Sequence, residues 1–266
     1  DAAVSALGGI DQVLLAHGTL SDQAECQNSV SLTLDEIHTN ALSTISLLTL
    51  LAQRFEALRA GTLCVITSVA GDIGDVTTRE QLLVACPAPD ILVNNNGGPP
   101  PGSFADWDRE AWIAALDANM LAPLAMIRLV LDGMVERRFG RIVNITSAMV
   151  RTPMAPMGLS TGARTGLTSV AKSLSREVAS ANVTINNLLP ERVNTERQRQ
   201  MAEIHSKTAG ITMEEAYEAM ARTIAAKRLG HPEEVGDACA FLCSAQAGYI
   251  SGQNLQLDGG SFAGVM

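Results

Sequence analysis

The chain has 266 residues, of which 47% are hydrophobic and 18% are charged, so it is long and apolar enough to bury the core of one sizeable domain and is not a disordered protein. Its net charge is −9 and it has three lysines, whereas proteins that bind nucleic acid or anionic membranes need clustered positive charge. We therefore expect neither nucleic acid nor a membrane as a partner.

The cysteines and histidines do not show the spacing of known metal-binding motifs. The five cysteines are odd in number and lack a CxxC pair, which favours buried thiols in a reducing compartment over disulfides or a metal site. The four histidines form neither an HxxxH nor an HExxH pattern, so no metal site is predicted. The longest apolar stretch, 41–52, is shorter than the ~20 residues of a membrane span, and no signal peptide is visible. These features predict a cytoplasmic protein.

A repeat organises the first half of the chain. Gly18, Asn40 and Ser68 recur 79 residues later as Gly97, Asn119 and Ser147. Residues 11–70, placed over 90–149, share ten identities. Identities occur at every predicted strand end, and the apolar pattern between them also agrees. A fixed long period is typical of a duplicated supersecondary unit.

Each repeat reads as a strand, a helix and a second strand. The predicted strands are 12–16 and 63–67 in the first copy and 91–94 and 141–146 in the second, where the helix runs over 112–136. Strands joined by a helix of this length form parallel βαβ units. The rest of the chain predicts helices at 160–179 and 233–244, strands at 183–189 and 254–257, and a helical excursion over 196–226.

These elements predict an α/β fold, a Rossmann-like doubly wound parallel sheet with a duplicated strand-helix-strand unit. We expect a single domain over 1–266, in which 1–71 is the first repeat unit and 72–266 the remainder. The first unit either takes part in the sheet or packs as an added layer. Methionines near 196–226 either line an apolar pocket under a lid or simply pack, and packing is the commoner role.

From about Asp72 onward the chain resembles the short-chain dehydrogenase/reductase family, especially its 3-oxoacyl-carrier-protein-reductase-like members. Residues 94–97 are similar to the family's NNAG, 228–235 to its RLGxPEEV and 251–260 to its SGxxxxxDGG. Asn119 and Ser147 fall at the spacing of the catalytic Asn and Ser. Several independent segments occur in the family's order.

The resemblance implies a nicotinamide cofactor, NADP or NAD, and a carbonyl substrate. It implies that Ser147 polarises the substrate carbonyl and that Asn119 holds a water or the backbone geometry. The cofactor contacts that it implies are Asp75, Val76, Asn94, Asn95, Asn96, Gly97, Pro190 and Thr195.

Three departures from the family pattern are evident. No TGxxxGxG loop for a pyrophosphate occurs anywhere in the chain, and residues 1–71 instead resemble another reductase's middle section, as though two members were joined near Gly71. Ser160 and Arg164 stand where the YxxxK Tyr and Lys belong, and both are poorer proton donors. Glu191 also replaces the glycine that usually follows Pro190. We therefore expect weak dinucleotide binding.

The function predicted is an NAD(P)-dependent oxidoreductase that interconverts a ketone and an alcohol, such as a 3-oxoacyl thioester or a similar apolar-tailed ketone. Ser160 would then supply a weak hydroxyl contact and Arg164 a fixed charge near the ribose. The alternative is a catalytically inactive Rossmann-like module for oligomerisation or nucleotide sensing. Apolar residues on more than one stripe of 41–58 and 121–136 predict a homo-oligomer.

Overall fold

The computed structural model describes residues 86–265, residues 79 and 82–84, and the backbone of two earlier strands. Six parallel strands form one sheet in the order β2-β1-β3-β4-β5-β6. They are β1 (Gln12–Gly18), β2 (Thr62–Ile66), β3 (Ile91–Asn96), β4 (Gly140–Ile145), β5 (Val183–Pro190) and β6 (Asn254–Leu257). The predicted α/β class with a doubly wound parallel sheet is confirmed.

The duplicated unit is visible in the strand register. Gln12 of β1 lies opposite Thr62 of β2, and Ile91 of β3 lies opposite Arg141 of β4, so both pairs are offset by 50 residues. The first unit's strands extend the sheet, because β1 pairs with β3. The sequence allowed the first unit either to take part in the sheet or to pack as an added layer. Its strands take part in the sheet. The first unit's helix and the junction near Gly71 lie outside the described residues.

Residues 86–265 form six α-helices. They are α1 (Arg109–Leu116), α2 (Ala122–Glu136), α3 (Gly158–Val178), α4 (Glu196–Ala209), α5 (Met213–Arg222) and α6 (Pro232–Cys243). Their bounds agree with the predicted helices to within a few residues, and the excursion over 196–226 contains two helices. The clearest difference is at 112–136, where the helix begins at Arg109 because Asp108 caps it by accepting from the Ala111 N–H at 2.8 Å.

The core lies on both faces of the sheet, as alternation along the strands requires. Leu92, Ile142 and Ile185 pack with Met126 and other residues of α2 and α3 on one face. Their chain neighbours, among them Val93 and Val143, pack on the opposite face with Cys239, Leu242 and Cys243 of α6. The described thiols Cys86, Cys239 and Cys243 are buried, as predicted, whereas the side chains of Cys26 and Cys64 lie outside the described residues.

The segment Arg109–Glu136, which comprises α1, a π-helical turn and α2, has the length and apolar composition of a membrane span. A core helix of a globular protein passes the same test, and here Met126, Val130 and Met134 are buried in the sheet-facing core. The segment is therefore weak evidence for a membrane.

Two methionines of the excursion pack between helices. Met220 is buried with Ala202 of α4 and Ala216 of α5, and Met213 packs against the same cluster. These two side chains therefore have the packing role that was the commoner of the two alternatives.

Candidate functional site

Three strands bring the predicted site residues to one edge of the sheet. Asn96 ends β3, Ser147 follows β4, and Pro190 ends β5 with Thr195 a short loop further on. The strands are parallel, so their carboxyl ends lie on the same edge, which is where open α/β sheets bind ligands. Asp75 and Val76 lie outside the described residues.

Arg164 of α3 is bound almost entirely by main-chain oxygens. Its Nη1 donates to the carbonyls of Ile145 at 2.9 Å and Thr146 at 3.1 Å, and its Nη2 donates to the carbonyl of Asn96 at 2.7 Å. Arg164 is buried, and this burial, with the nearby charge of Arg197, lowers its pKa to about 10. The side chain stays charged at neutral pH and holds the ends of β3 and β4 together.

Two serine hydroxyls lie at the carboxyl edge of the sheet, and one of them contacts this guanidinium. Ser160 Oγ accepts from Arg164 Nε at 3.2 Å, and Ser147 Oγ accepts from the main-chain N–H of Met149 at 3.2 Å. Neither hydroxyl donates a hydrogen bond within the part of the chain that the structure describes. Each proton therefore remains available for an acceptor such as a carbonyl oxygen.

Ser160 is buried beneath a glycine. A Cβ atom at Gly98 would lie 3.5 Å from both Ser160 Oγ and Arg164 Nη2 and 3.9 Å from Arg197 Nη2. Gly98 thus brings the main chain against all three side chains. Gly98 follows Gly97 of the NNAG-like segment. This glycine and the three side chains form one side of the candidate site.

Asn119 lies in the π-helical turn Asp117–Leu121 between α1 and α2. The turn is tied to β3, because Asn96 Nδ2 donates to the carbonyl of Ala118 at 2.7 Å. Among the described residues, the buried Oδ1 atoms of Asn96 and Asn119 have no hydrogen-bond donor. Buried amide oxygens normally have a donor, so each of these two atoms suits a bound water or an N–H group of a ligand.

Asn94 lies inside the sheet rather than at its edge. Asn94 Nδ2 donates to Asn144 Oδ1 at 2.9 Å, Asn144 Nδ2 to Asn187 Oδ1 at 3.0 Å, and Asn187 Nδ2 to Asn254 Oδ1 at 2.8 Å. This asparagine ladder crosses β3, β4, β5 and β6. The Asn94 side chain is 2% exposed and its amide stabilises the sheet, while the cofactor contacts of Asn94 and Asn95 stay predictions.

The segment that follows β5 contacts the loop that follows β3. Thr195 is the N-cap of α4 but makes no side-chain capping bond. Arg197, in the first turn of α4, donates from Nη1 to the carbonyl of Gly98 at 3.0 Å and from Nη2 to the carbonyl of Pro99 at 2.9 Å. The sequence reasoning missed Arg197, since no spacing within 191–200 indicates that it reaches a loop so far away in the chain.

Glu191, which replaces the usual glycine, lines a cavity of about 310 Å³ with Gln256 and Asp258. Burial raises the pKa of Glu191, although the neighbouring Arg192 opposes this effect. The Glu191 carboxylate therefore lies next to β6, and its hindrance of a flat ring at this position stays a prediction.

The RLGxPEEV-like segment is a structural cap. Arg228 is paired with Glu234 at 2.6 Å, and the main-chain N–H of His231 donates to Glu234 Oε2 at 2.7 Å. These contacts lower the pKa of Glu234 to about 2 and start α6. In the DGG-like segment, Asp258 accepts from the main-chain N–H groups of Gly260 and Phe262. Within the described residues no cluster of metal ligands is present.

Comparison with known proteins agrees with this arrangement. A family model described as Enoyl-(Acyl carrier protein) reductase matches residues 75–261. The NADPH-dependent reductase BacG of Bacillus subtilis (strain 168) is 32% identical over 201 residues, covering 74% of this chain and 78% of that protein. The 3-oxoacyl-[acyl-carrier-protein] reductase FabG of Vibrio cholerae is 32% identical over 173 residues, covering 65% of this chain and 66% of that protein.

The likeness extends to solved structures. The crystal structure of YwfH, an NADPH-dependent reductase involved in bacilysin biosynthesis, superposes with a TM-score of 0.74 at 26% identity and covers 96% of this chain and 100% of that chain. The matched segments and the parallel sheet with its site edge define a Rossmann-like reductase fold. The chain belongs to the short-chain dehydrogenase/reductase family.

Proposed function

We propose that this chain is an NAD(P)-dependent reductase that interconverts a ketone and an alcohol at the edge formed by Ser147 and Ser160. The observation that carries the proposal is the pair of hydroxyls whose lone pairs accept from Met149 N–H and Arg164 while their protons remain available. Relatives named as reductases support the same chemistry.

In this proposal the two hydroxyls donate to the substrate carbonyl oxygen and polarise it. Arg164 lies behind Ser160 and adds a fixed positive charge that favours negative charge on that oxygen. A serine hydroxyl is a weak acid and Arg164 is protonated at neutral pH, so the final proton comes from water. Asn119, whose buried amide oxygen has no donor among the described residues, would hold such a water.

The buried amide oxygens of Asn96 and Asn119 fit a ligand with N–H groups, such as the carboxamide of a nicotinamide. Gly97 and Thr195 adjoin the same edge and would help to hold the ring and its ribose. When bound, the cofactor supplies the hydride. The name of BacG favours NADPH over NADH. Because the chain has no glycine-rich phosphate loop, we expect binding weaker than in intact family members.

The substrate proposed from the resemblance is a 3-oxoacyl thioester or a similar apolar-tailed ketone, and the name of FabG supports this class. A cytoplasmic location and a homo-oligomer are further proposals. Exposed apolar side chains along Arg109–Glu136 support the homo-oligomer.

The test is oxidation of NADPH and NADH by the full chain with a panel of ketones. Ser147→Ala and Ser160→Ala should each lower kcat by about 100-fold or more, because each removes a donor to the carbonyl oxygen. Ser173→Ala, at an exposed position of the same helix as Ser160, is the matched control and should leave kcat unchanged. Turnover that is indifferent to both site variants would place the active centre elsewhere.

The alternative is an inactive oligomerisation or nucleotide-sensing module. It is favoured by the hydrogen bonds of Arg164, which commit this side chain to main-chain carbonyls as a structural group. Calorimetry with NADPH and NADH separates the two functions. Cofactor binding without turnover on any ketone would support the alternative.

A further inference from the structure

We propose that Arg197 binds an anionic group of the substrate, so that the ketone reduced is an oxo acid whose carboxylate lies close to the reacting carbonyl. This inference rests on the proposed reductase function and narrows its substrate class. The observation behind it is the convergence of two cationic side chains, Arg164 and Arg197, on Gly98.

Neither guanidinium group has a counter-charge among the residues that the structure describes. Within the described residues, four other arginines form ion pairs with Asp or Glu, namely Arg137, Arg192, Arg199 and Arg228. No carboxylate of that same part of the chain pairs with Arg164 or Arg197, whose acceptors are main-chain carbonyls and one serine hydroxyl. Two adjacent positive charges that face only neutral acceptors attract an anion.

Arg197 has N–H groups that make no hydrogen bond to the described residues. A guanidinium carries five N–H groups, and Arg197 uses one on Nη1 and one on Nη2 for Gly98 and Pro99. The three remaining N–H groups, on Nε, Nη1 and Nη2, have no acceptor among the described residues and are able to donate to a carboxylate. Arg197 is partly exposed, whereas Arg164 is buried, so Arg197 makes the contact and Arg164 adds to the field. Arg197 lies in the first turn of α4, whose dipole has the same sign.

The spacing selects the substrate class. Ser160 Oγ and Arg197 Nη2 lie close to each other, since a Cβ atom at Gly98 would be 3.5 Å from the first and 3.9 Å from the second. A substrate whose carbonyl reaches Ser160 would therefore place at Arg197 only a group a few bonds away. A carboxylate adjacent to the ketone satisfies this condition. The phosphates of a coenzyme A thioester lie too far from its ketone to do so.

The experiment compares an acid with its neutral ester. Isothermal titration calorimetry of the full chain uses 2-oxo-4-phenylbutyrate and its ethyl ester, with acetoacetyl-coenzyme A as a third probe. We expect the acid to bind at least about tenfold more tightly than the ester, because a charge-assisted pair is worth one or more decades in Kd. Arg197→Met should abolish this preference and leave ester binding within about twofold.

Two further variants test charge and position. Arg197→Lys should retain part of the preference, because it keeps a point charge but loses the fork. Lys207→Met removes an exposed charge from the last turn of the same helix and should have no effect. Circular dichroism checks that each variant is folded. In the unsubstituted protein, added salt should weaken binding of the acid and not of the ester, which tests the inference without any substitution.

Equal binding of acid and ester, or an acid preference that survives Arg197→Met, would overturn the inference. So would a loss of acetoacetyl-coenzyme A binding in Arg197→Met as large as that of the acid, because the anion recognised would then be a remote phosphate. Acid preference without NADPH or NADH oxidation would support this inference and remove the proposed reductase function. Oxidation of either cofactor with acid and ester alike would retain that function and overturn the inference.

Discussion

Arg164 occupies the family position of a lysine but has a different structural task. A lysine could not replace its planar fork, which reaches the carbonyls of Asn96, Ile145 and Thr146 at once. The low-dielectric site makes each of these bonds costly to lose, because a buried carbonyl without a donor is unfavourable. These hydrogen bonds give a structural reason for an arginine at position 164 and for a small serine one helical turn before it.

Arg164→Lys should therefore destabilise the protein, although it keeps the charge. We expect a loss of about 2–4 kcal/mol in the free energy of unfolding, since two carbonyls or more lose their donor. Urea denaturation followed by circular dichroism measures this change. Arg176→Lys, at an exposed position of the same helix, is the control and should change stability little. An unchanged midpoint for Arg164→Lys would mean that the carbonyl contacts contribute nothing to stability.

At the scale of elements, the asparagine ladder fixes the register of four strands. Asn94, Asn144 and Asn187 are buried and lie opposite one another in the strand pairing. A one-residue slip of any strand would leave these amides unpaired in the core, which is strongly unfavourable. The ladder therefore keeps the carboxyl ends of β3, β4 and β5 level, and these ends carry the site.

Asn144→Ala should lower the free energy of unfolding by about 2 kcal/mol or more, because Asn94 Nδ2 and Asn187 Oδ1 both lose their partner in the core. Asn254→Ala at the exposed end of the ladder is the matched control. It should cost less than about 1 kcal/mol, because water can replace the lost acceptor. Thermal and urea denaturation of both variants test this. Equal losses would show that the ladder acts through packing rather than through its hydrogen bonds.

At the scale of the whole molecule, the segment Arg109–Glu136 is apolar on two faces. Its inner face packs on the sheet, yet Ile113, Leu121 and Leu129 are 45%, 51% and 41% exposed. A second copy of the chain is the partner that we propose for this outer face, since an exposed apolar strip of this kind is typical of subunit contacts.

Multi-angle light scattering should accordingly show a homo-oligomer. Ile113→Glu and Leu129→Glu should each shift it toward the monomer, because a carboxylate buried in an apolar contact is unfavourable. Arg176→Glu, an exposed change on α3, should leave the mass unchanged. A monomeric unsubstituted protein at micromolar concentration would rule out this use of the face.

The sequence by itself determined the parallel sheet, helices α2, α3 and α6 and the family, because these depend on local periodicity and on motifs in a fixed order. Strands β3 to β6 and helices α2, α3 and α6 end within a few residues of their predicted bounds. The tertiary structure decided which polar groups meet. Arg164 reaches Asn96 across 68 residues and Arg197 reaches Gly98 across 99 residues. Such partners are chosen by the packing of distant elements, so local patterns contain no record of them.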